Sequence, residues 1–267
     1  MSREEAGPDF VTALARGLEV LRCFSDHPTA MTLTELSSRT NLARATVRRI
    51  IITLEHLGYV KATDDGFIVT PRVLELGTAH TLASGIWESA NPYLTELVKI
   101  TNQAASIAEL DGSDVFYVAR VAVPKMVSLA ITVGMRLPAT NTALGRAILA
   151  FMDPGEVEQI LQIPSRSSIY PNHVHDRAEL LADLETIRKQ GWALSDEDLH
   201  PAVRSVAVPL RTDDGRVFAA MNIAAVASEV SLMQLVNEFL PVLQETALSI
   251  GKAYSLHRAA PQRTLGA

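Results

Sequence analysis

The chain has 267 residues, which is enough for one large domain or two of modest size. Apolar residues make up 48% and charged residues 20%, a balance that excludes a disordered or fibrous chain. The formal net charge of −6 argues, as an average, against a nucleic-acid binder. No apolar run reaches the ~18–20 residues that a transmembrane helix needs.

The N-terminal sequence and the cysteine content predict a cytoplasmic protein. The first ten residues contain acids and a proline, in place of the basic start and apolar run of a secretory signal. A single cysteine, Cys23, excludes an intrachain disulfide and fits a reducing compartment. Cys23 falls in an apolar helical pattern, so we interpret it as a small core residue rather than a redox sensor.

The first 70 residues alternate helix signals with turn signals. Apolar residues at helical spacing predict a first amphipathic helix that ends near residues 26–28. Thr32 and Glu35 match a capping box, which opens a second, short helix. This helix is expected to end at a turn of residues 41–42.

A third helix is predicted over residues 44–56, with one apolar face at i, i+3, i+4 and i+7 spacing. Gly58 is placed to end it as a C′ glycine. Strand signals over 59–69, around a turn at 64–66, predict a two-stranded hairpin. This order of elements predicts a winged helix-turn-helix over residues 10–70.

Basic residues concentrate in this segment. Between Met31 and Lys61 there are five basic and two acidic residues, so the local charge is 5 − 2 = +3. Arginine can pair with guanine or phosphate, a threonine hydroxyl can donate or accept, and an alanine methyl can contact thymine. The alternative is an ordinary solvated helix face. The candidate DNA-binding residues are Thr34, Arg44, Ala45, Thr46, Arg48, Arg49 and Lys61.

The remainder of the chain predicts a linker helix over 71–88 and a second domain over 89–258. The predicted strands are 104–110, 115–123, 127–132, 192–194, 206–210 and 217–225. The predicted helices are 89–101, 142–152, one that begins at Pro154, 176–189, and 228–257 with an interruption near Pro241. Helices interspersed with hairpins predict an α+β domain built on an antiparallel sheet.

Motifs in both halves of the chain resemble the IclR family of bacterial transcription regulators. The N-terminal motifs are Leu14–Leu21, Thr46–Arg49, Leu54–Val60 and Thr70–Gly77. The C-terminal motifs are Leu110–Gly112, Tyr117–Val121, Gly134–Ala139, Ala143–Ala147 and Arg188–Ala193. The resemblance extends from about Val11 to His257. It implies a DNA-binding domain joined by a linker helix to a GAF-like effector domain.

The opening from Leu14 to Leu18 and the double arginine after Thr46 resemble one subgroup of this family. Members of that subgroup control β-ketoadipate pathway genes and respond to aromatic acids such as protocatechuate or 4-hydroxybenzoate. The resemblance implies a homodimer, in some members a tetramer, on an operator of double-stranded DNA. Binding of a small organic acid would then change operator affinity through the linker helix. No cofactor is expected.

The resemblance also implies an effector pocket between the sheet and the loop and helix that follow it. The matching positions are Thr142, Ala143, Leu144, Ser195, Val203, Ser205, Asn222 and Ala224. Thr142, Ser205 and Asn222 offer neutral hydrogen-bonding groups, and the helix that begins at Thr142 offers backbone amides to a carboxylate. Relatives that bind very small keto acids carry an acid, a thiol and two hydroxyls at four of these positions, so a ligand like glyoxylate is not expected here.

Four arginines are candidate clamps for the carboxylate, because guanidinium binds carboxylate through two parallel hydrogen bonds. The alternative for each is a structural ion pair or a contact between domains. The four candidates are Arg120, Arg136, Arg146 and Arg204.

No catalytic constellation is recognised in the sequence. There is no nucleophile with a base, and the glycine–basic pairs at 145–146 and 251–252 lack the rest of a phosphate-binding loop. His173 and His175 could ligate a metal, but Asp176 beside them is better explained as a helix N-cap, so no catalytic or metal residue is assigned. Two alternatives stay open: a metabolite-binding or enzymatic domain whose helix-turn-helix contacts protein, and a structural DNA-binding protein without an effector.

Overall fold

The computed structural model describes residue 7 and residues 9–25, 29–77, 86–123 and 131–259. The chain divides into two compact units, Met1–Ser84 and Gly85–Ala267, and each is described by itself. Among the described residues, none of the helices combines the length and the apolar content that a bilayer-spanning segment requires.

Three helices and a hairpin form the first unit. They are α1 (Thr12–Arg22), α2 (Leu33–Thr40), α3 (Arg44–His56), β1 (Val60–Thr63) and β2 (Gly66–Val69). The two strands pair antiparallel, as expected for a wing.

Every one of these helices contributes to a single small core. Its most buried side chains, each at most 1% exposed, are Val20, Leu36, Val47, Ile51 and Val60. Cys23 is partly buried and packs against this core, in agreement with its interpretation as a small packing residue.

Local signals set the ends of α2 and α3. The Glu35 amide donates to Thr32 Oγ1 over 3.3 Å, and the Thr32 amide donates to Glu35 Oε2 over 2.7 Å, so the predicted capping box is confirmed. Asn41 adopts a left-handed backbone with φ of 51° between the two helices, a conformation that asparagine tolerates. The predicted bounds of α3 are also confirmed.

The hairpin is attached to the start of α2. Met31 and Phe67 exchange two backbone hydrogen bonds, each 2.9 Å long. A Cβ atom at Gly66 would lie 2.7 Å from the Met31 carbonyl oxygen, so only glycine fits there without a backbone shift. The hairpin and the start of α2 therefore pack as one body.

Pro71 opens a 3₁₀ turn, Pro71–Val73, and helical residues continue to Gly77. Residues 78–85 of the predicted linker helix lie outside the described residues, and residues 86–88 belong to the next helix, α4 (Ile86–Thr101).

A six-stranded antiparallel sheet organises the second unit, with the strand order β5-β4-β3-β8-β7-β6. Its strands are β3 (Ala104–Asp111), β4 (Asp114–Val121), β5 (Arg136–Pro138), β6 (Ala193–Asp196), β7 (Val203–Arg211) and β8 (Val217–Val226).

Helices cover both faces of this sheet, which confirms the predicted α+β class. The first face packs against α4 (Ile86–Thr101) and α9 (Leu240–Ala259). The second face packs against α5 (Ala143–Leu149), which in turn contacts α7 (Arg177–Gln190). A further helix, α6 (Pro154–Leu161), buries Val157 in the same core as α5.

One predicted strand differs from the structure. Of the residues predicted as a strand over 127–132, residues 127–130 lie outside the described residues, and residues 131–132 are not in a strand. The edge beside β4 is occupied by β5, in which Leu137 pairs with Val115. The strand β5 has only three residues and ends in a proline, so it shows no alternating pattern by which the sequence could have revealed it.

The predicted interruption near Pro241 is a widened turn rather than a break. The helical residues run from α8 (Leu232–Gln234) through a π-helical turn, Leu235–Phe239, into α9. Proline has no amide hydrogen and its ring crowds the preceding turn, so a local π turn relieves the misfit.

Candidate DNA-binding and effector sites

The candidate recognition helix of the first unit is α3. Val47 and Ile51 face the core, whereas Arg44, Ala45 and Arg48 are exposed on the opposite side. Positions i, i+1 and i+4 of a helix lie on one side, so these three side chains form one outward face at its N-terminal end. This is the part of a recognition helix that meets base edges in the major groove.

The basic side chains of this region are available to an external anion. Within the described residues, no carboxylate pairs with Arg44, Arg48, Arg49 or Lys61. Lys61 is exposed on β1 of the hairpin, and Thr34 is exposed in the first turn of α2. Phosphate groups would find no competing ion pair here.

The candidate DNA-binding residues do not all share one surface. Thr46 and Arg49, unlike Arg44, Ala45 and Arg48, line an apolar groove of about 560 Å³ between α1 and α3. Its apolar lining residues are Ala13, Leu14, Leu18, Leu21, Ile50, Leu54, Leu57, Tyr59 and Leu76.

The second face of the sheet collects five of the eight predicted effector residues. Ser205 pairs with Ser195 on one side and with Ala224 on the other. Asn222 pairs with Ala207, two residues further along β7, and side chains two residues apart share a face. The five residues on this face are Ser195, Val203, Ser205, Asn222 and Ala224.

The three remaining predicted residues lie at the start of α5. Thr142 is its N-cap, and Ala143 and Leu144 belong to the same core as Ala207 and Ala220. The structure therefore brings all eight positions to the same side of the sheet. Four of them are polar and at most 9% exposed: Thr142, Ser195, Ser205 and Asn222.

The start of α5 offers a ligand fewer unpaired hydrogen-bonding groups than the sequence predicts. The Gly145 amide donates to Thr142 Oγ1 over 3.0 Å, and that hydroxyl lies 3.4 Å from the Ala139 carbonyl oxygen, to which it donates. Both hydrogen-bonding functions of the Thr142 hydroxyl are thus used within the protein. A ligand at this helix end would have to compete with them.

Three of the four candidate arginine clamps are ion-paired within the protein. Arg146 is almost fully buried and lies 2.8 Å from Asp198 and 3.1 Å from Asp183. Arg204 lies 2.9 Å from Asp196. Arg136 pairs with Asp111. These three arginines therefore form structural ion pairs, which was the alternative to their predicted role as carboxylate clamps.

Arg120 is different. Its Nη1 donates to Ser106 Oγ over 2.9 Å, and no carboxylate pairs with it in the part of the chain that the structure describes. Burial lowers the pKa of Arg120, while the nearby Tyr117 opposes this shift. Burial also raises the pKa of Tyr117, so its phenol is uncharged at neutral pH, and it can oppose the shift of Arg120 only in alkaline solution.

Two more observations concern polar groups on this face: one serine was not predicted, and one predicted asparagine has an oxygen without a hydrogen-bond partner. Ser106 is fully buried, and sequence reasoning missed it because a lone serine in an apolar strand gives no signal before the register is known. Asn222 Oδ1 is buried and accepts no hydrogen bond in the described structure. Buried polar atoms are rarely left unpaired, so this acceptor requires an explanation.

His173, His175 and Glu179 bring their ligand atoms within 4.8 Å of one another, the kind of group that could hold a metal ion. His175 Nε2 lies 2.7 Å from Arg146 Nη1, and a guanidinium nitrogen can only donate. The neutral ring must then carry its proton on Nδ1, and a metal at Nδ1 would have to displace it. Glu179 is already used in the capping box of α7.

Comparison with known proteins identifies the family. The IclR helix-turn-helix domain matches residues 13–64, and the bacterial transcriptional regulator IclR C-terminal domain matches residues 79–252. The Pca regulon regulatory protein of Pseudomonas putida is 38% identical over 239 residues, which are 88% of this chain and 81% of that protein.

Solved structures agree. A transcriptional regulator from Rhodococcus sp. RHA1 is 37% identical with a TM-score of 0.78, over 94% of this chain and all of that one. The inducer-binding domain of the PobR transcription factor from Acinetobacter, solved as a double mutant with 3-hydroxybenzoic acid, is 27% identical. Its TM-score is 0.57, over 62% of this chain and 98% of that domain. These relatives are regulators rather than enzymes. The chain belongs to the IclR family of bacterial transcriptional regulators and resembles its β-ketoadipate pathway subgroup.

Proposed function

We propose that this regulator is a cytoplasmic protein whose binding to its operator changes when a small aromatic acid occupies the effector domain, and that it controls genes of aromatic-acid catabolism. The observation that carries the proposal is the set of buried polar side chains beside α5, in a core that is otherwise apolar. An apolar pocket with a few convergent polar groups is typical of a small-molecule site.

The class of effector is inferred from the relatives. One is a regulator of a Pca regulon, and the PobR domain was solved with 3-hydroxybenzoic acid. We propose that Thr142, Ala143, Leu144, Ser195, Val203, Ser205, Asn222 and Ala224 border the corresponding pocket here. The single cysteine supports the cytoplasmic location.

For the DNA-binding unit, we propose that Arg44, Ala45 and Arg48 contact base edges from α3. Lys61 on the hairpin and Thr34 at the start of α2 would contact phosphates, because exposed ammonium and hydroxyl groups position a protein on the backbone. Thr46 and Arg49 lie at the border between this surface and the groove, and we assign them contacts with the flanking backbone.

We further propose that the protein acts as a homodimer, with tetramers formed from such dimers. The support is the apolar groove of the first unit. Several of its side chains are largely exposed in the single chain, including Leu14 at 62%, Leu18 at 49% and Leu76 at 53%. A second copy of this chain, bound at the same surface, would cover them in a two-fold interface.

Fluorescence anisotropy tests the proposed function. Labelled DNA from upstream of the gene and its neighbours is titrated with protein at fixed salt, with and without a panel of aromatic and dicarboxylic acids. We expect specific binding that one aromatic acid shifts. Arg48→Ala should weaken ligand-free binding by about 1–3 kcal/mol, or roughly 5- to 150-fold, as expected for an arginine that reads a base.

Arg216→Ala is the matched control, because it removes an exposed arginine from a turn of the second unit and should leave operator affinity unchanged. Equal losses in the two variants would show that only net charge matters. Specific binding that no acid alters would contradict the effector proposal, and it would favour a DNA-binding protein without an effector.

A further inference from the structure

We infer that the second unit has another ligand site, at the edge of its sheet, which binds a medium-chain aliphatic monocarboxylate. The site is a cleft of about 520 Å³ between the end of β7 and α9, and none of the eight proposed effector positions lines it. The inference therefore goes beyond the proposed function and does not depend on it. We call this site the edge cleft, and its main lining residues are Val208, Pro209, Arg211, Gln244, Leu248 and Lys252.

The edge cleft lies where β7 has no neighbour on one side. The strand β6 pairs only with residues 204–207 of β7, so residues 208–211 pair with β8 alone. Gly191, which ends α7 just before β6 begins, also lines the cleft. Pro209 lies in the unpaired stretch, and proline has no amide hydrogen to donate to a further strand. This open side of β7 is therefore better suited to a small molecule than to an added strand.

Two cations lie at one end of the edge cleft. A Cβ atom at Gly251 would lie 2.4 Å from the Arg211 carbonyl oxygen, so the backbone of Arg211 contacts the turn of α9 that carries Lys252. Neither cation forms an ion pair in the described part of the chain, and the Asp213 carboxylate, which also lines the cleft, pairs with neither. The formal charge of this end is 2 − 1 = +1, which suits an anion with a single charge.

The Arg211 guanidinium is positioned by two contacts. Its Cζ lies 4.0 Å from the centroid of the Phe151 ring, and its Nη1 donates to the Gly215 carbonyl oxygen over 3.2 Å. A guanidinium has five N–H groups, so most of them remain for a ligand. Burial lowers the pKa of Arg211, which means that water stabilises its charge less than in an exposed arginine. A ligand carboxylate would compensate for this loss through charge-assisted hydrogen bonds.

The rest of the edge cleft is mainly apolar. Gln244, Leu248 and Lys252 are spaced four residues apart on α9, so they form one stripe along the helix. The stripe is about 12 Å long, since each helical residue rises about 1.5 Å. The buried side chains of Val208 and Ala247 also line the cleft. An extended aliphatic chain, with its carboxylate at the cationic end, would cover Leu248, which is 68% exposed in the single chain.

Isothermal titration calorimetry on the full chain tests the site with matched probes. They are octanoate, butanoate, which has a shorter chain, octanamide, which lacks the charge, and octyl phosphate, which carries close to two charges near neutral pH. We expect a single octanoate to bind per chain. It should bind at least ~20-fold more tightly than butanoate, because each buried methylene contributes about 4-fold. It should also bind at least ~10-fold more tightly than octanamide, which cannot form charge-assisted hydrogen bonds.

Two variants test the cationic end. Arg211→Gln should weaken octanoate by at least ~10-fold and leave octanamide nearly unchanged. Lys252→Gln removes an exposed charge, so the fold is retained, and it should weaken octanoate by about 2- to 5-fold. Lys99→Gln on α4 is the control, because Lys99 is equally exposed and lies outside the edge cleft.

A third variant tests the apolar stripe. Leu248→Gln should reduce the preference for octanoate over butanoate, because it removes apolar contact with the chain and leaves the cations in place. Leu256→Gln is the matched control, since Leu256 is 73% exposed on the same helix but does not line the cleft.

The remaining outcomes would overturn the inference. If Asn222→Leu weakens octanoate and Lys252→Gln does not, octanoate occupies the proposed effector pocket instead. Equal binding of octanoate and octanamide would exclude recognition of the charge, and tighter binding of octyl phosphate would exclude a site for a single charge. If Leu248→Gln or Lys252→Gln lowers the mass of the assembly in light scattering, this surface binds a second copy of the chain rather than a ligand.

Discussion

A contact of 2.7 Å between Arg146 Nη1 and His175 Nε2 affects the protonation state of the histidine. Burial lowers the pKa of His175, and the positive charge of Arg146 lowers it further, although Asp198 partly opposes this. The folded protein therefore favours the neutral imidazole, which accepts a hydrogen bond from the guanidinium. A proton on the ring would place two cations against each other.

The stability of the protein should consequently fall in mild acid. Because the folded-state pKa is lowered, the unfolded chain takes up the His175 proton first as the pH drops below about 6.5, and the free energy of unfolding decreases there. His175→Gln retains an acceptor for Arg146 without a titrating ring, so it should reduce this dependence. Urea unfolding at several pH values between about 5 and 8 measures it.

His56→Gln serves as the comparison, because His56 is exposed at the end of α3 and should leave the pH dependence as in the wild type. An unchanged pH dependence in His175→Gln would show that other groups determine the acid sensitivity.

Residue roles in the effector domain could be predicted only in part. The sequence predicted eight pocket positions, and all eight lie on one side of the sheet. It treated the four candidate arginines as equivalent, because the acids that neutralise three of them are up to 52 residues away along the chain. Only the register of the sheet distinguishes Arg120 from Arg146.

At the scale of elements, the close approach of α5 to the preceding 3₁₀ turn, Ala139–Asn141, depends on one glycine. A Cβ atom added at Gly145 would lie 2.1 Å from the Ala139 carbonyl oxygen and 2.3 Å from its Cα. Because both are backbone atoms, Gly145→Ala must displace the start of α5. We expect a loss of about 1–3 kcal/mol or more in the free energy of unfolding.

Chemical denaturation measures this loss, and Gly155→Ala in α6 is the matched control. An added Cβ there meets only the Asp153 carboxylate, 3.0 Å away, which can move. That variant should be neutral or stabilised by up to about 1 kcal/mol, since alanine is the better helix former. Equal changes in the free energy of unfolding for the two substitutions would show that the start of α5 can move to accommodate the added methyl group without cost.

Elements were predictable where a local signal determines them. The capping box at Thr32 and the N-caps Asp153 and Asp176 set helix starts that the structure confirms. The edge strand β5 was missed, and the turn before Pro241 was predicted as an interruption rather than a π turn. Both depend on packing against distant segments, which no local pattern encodes.

At the scale of the whole molecule, the apolar groove predicts how the protein assembles. Leu14→Glu together with Leu18→Glu would place two charges where we propose that a second copy binds. We expect the double variant to be a monomer with a mass near 28.9 kDa. Its operator affinity should also fall by at least ~10-fold, because one half-site can no longer assist the other.

Light scattering coupled to size-exclusion chromatography measures the mass. Ile52→Glu is the control for the mass alone, since Ile52 is 47% exposed on the same unit and does not line the groove, but follows Arg48 by one helical turn on the proposed DNA-binding face. If the leucine variant keeps the mass of the wild-type assembly, the groove is not the interface. If it changes from a tetramer only to a dimer, a second interface outside the groove holds two copies together.

The attachment of the hairpin to the start of α2 has a consequence for how this domain leaves DNA. Met31 and Phe67 lock the hairpin to the helix pair through two backbone hydrogen bonds, with Gly66 pressed against the same carbonyl. The hairpin should therefore not remain bound to the phosphates after α3 has dissociated from the major groove. In a footprinting experiment, protection of the major groove and of the flanking backbone should be lost at the same protein concentration as the protein is diluted. This is the behaviour of one rigid DNA-binding domain rather than of two elements that bind independently.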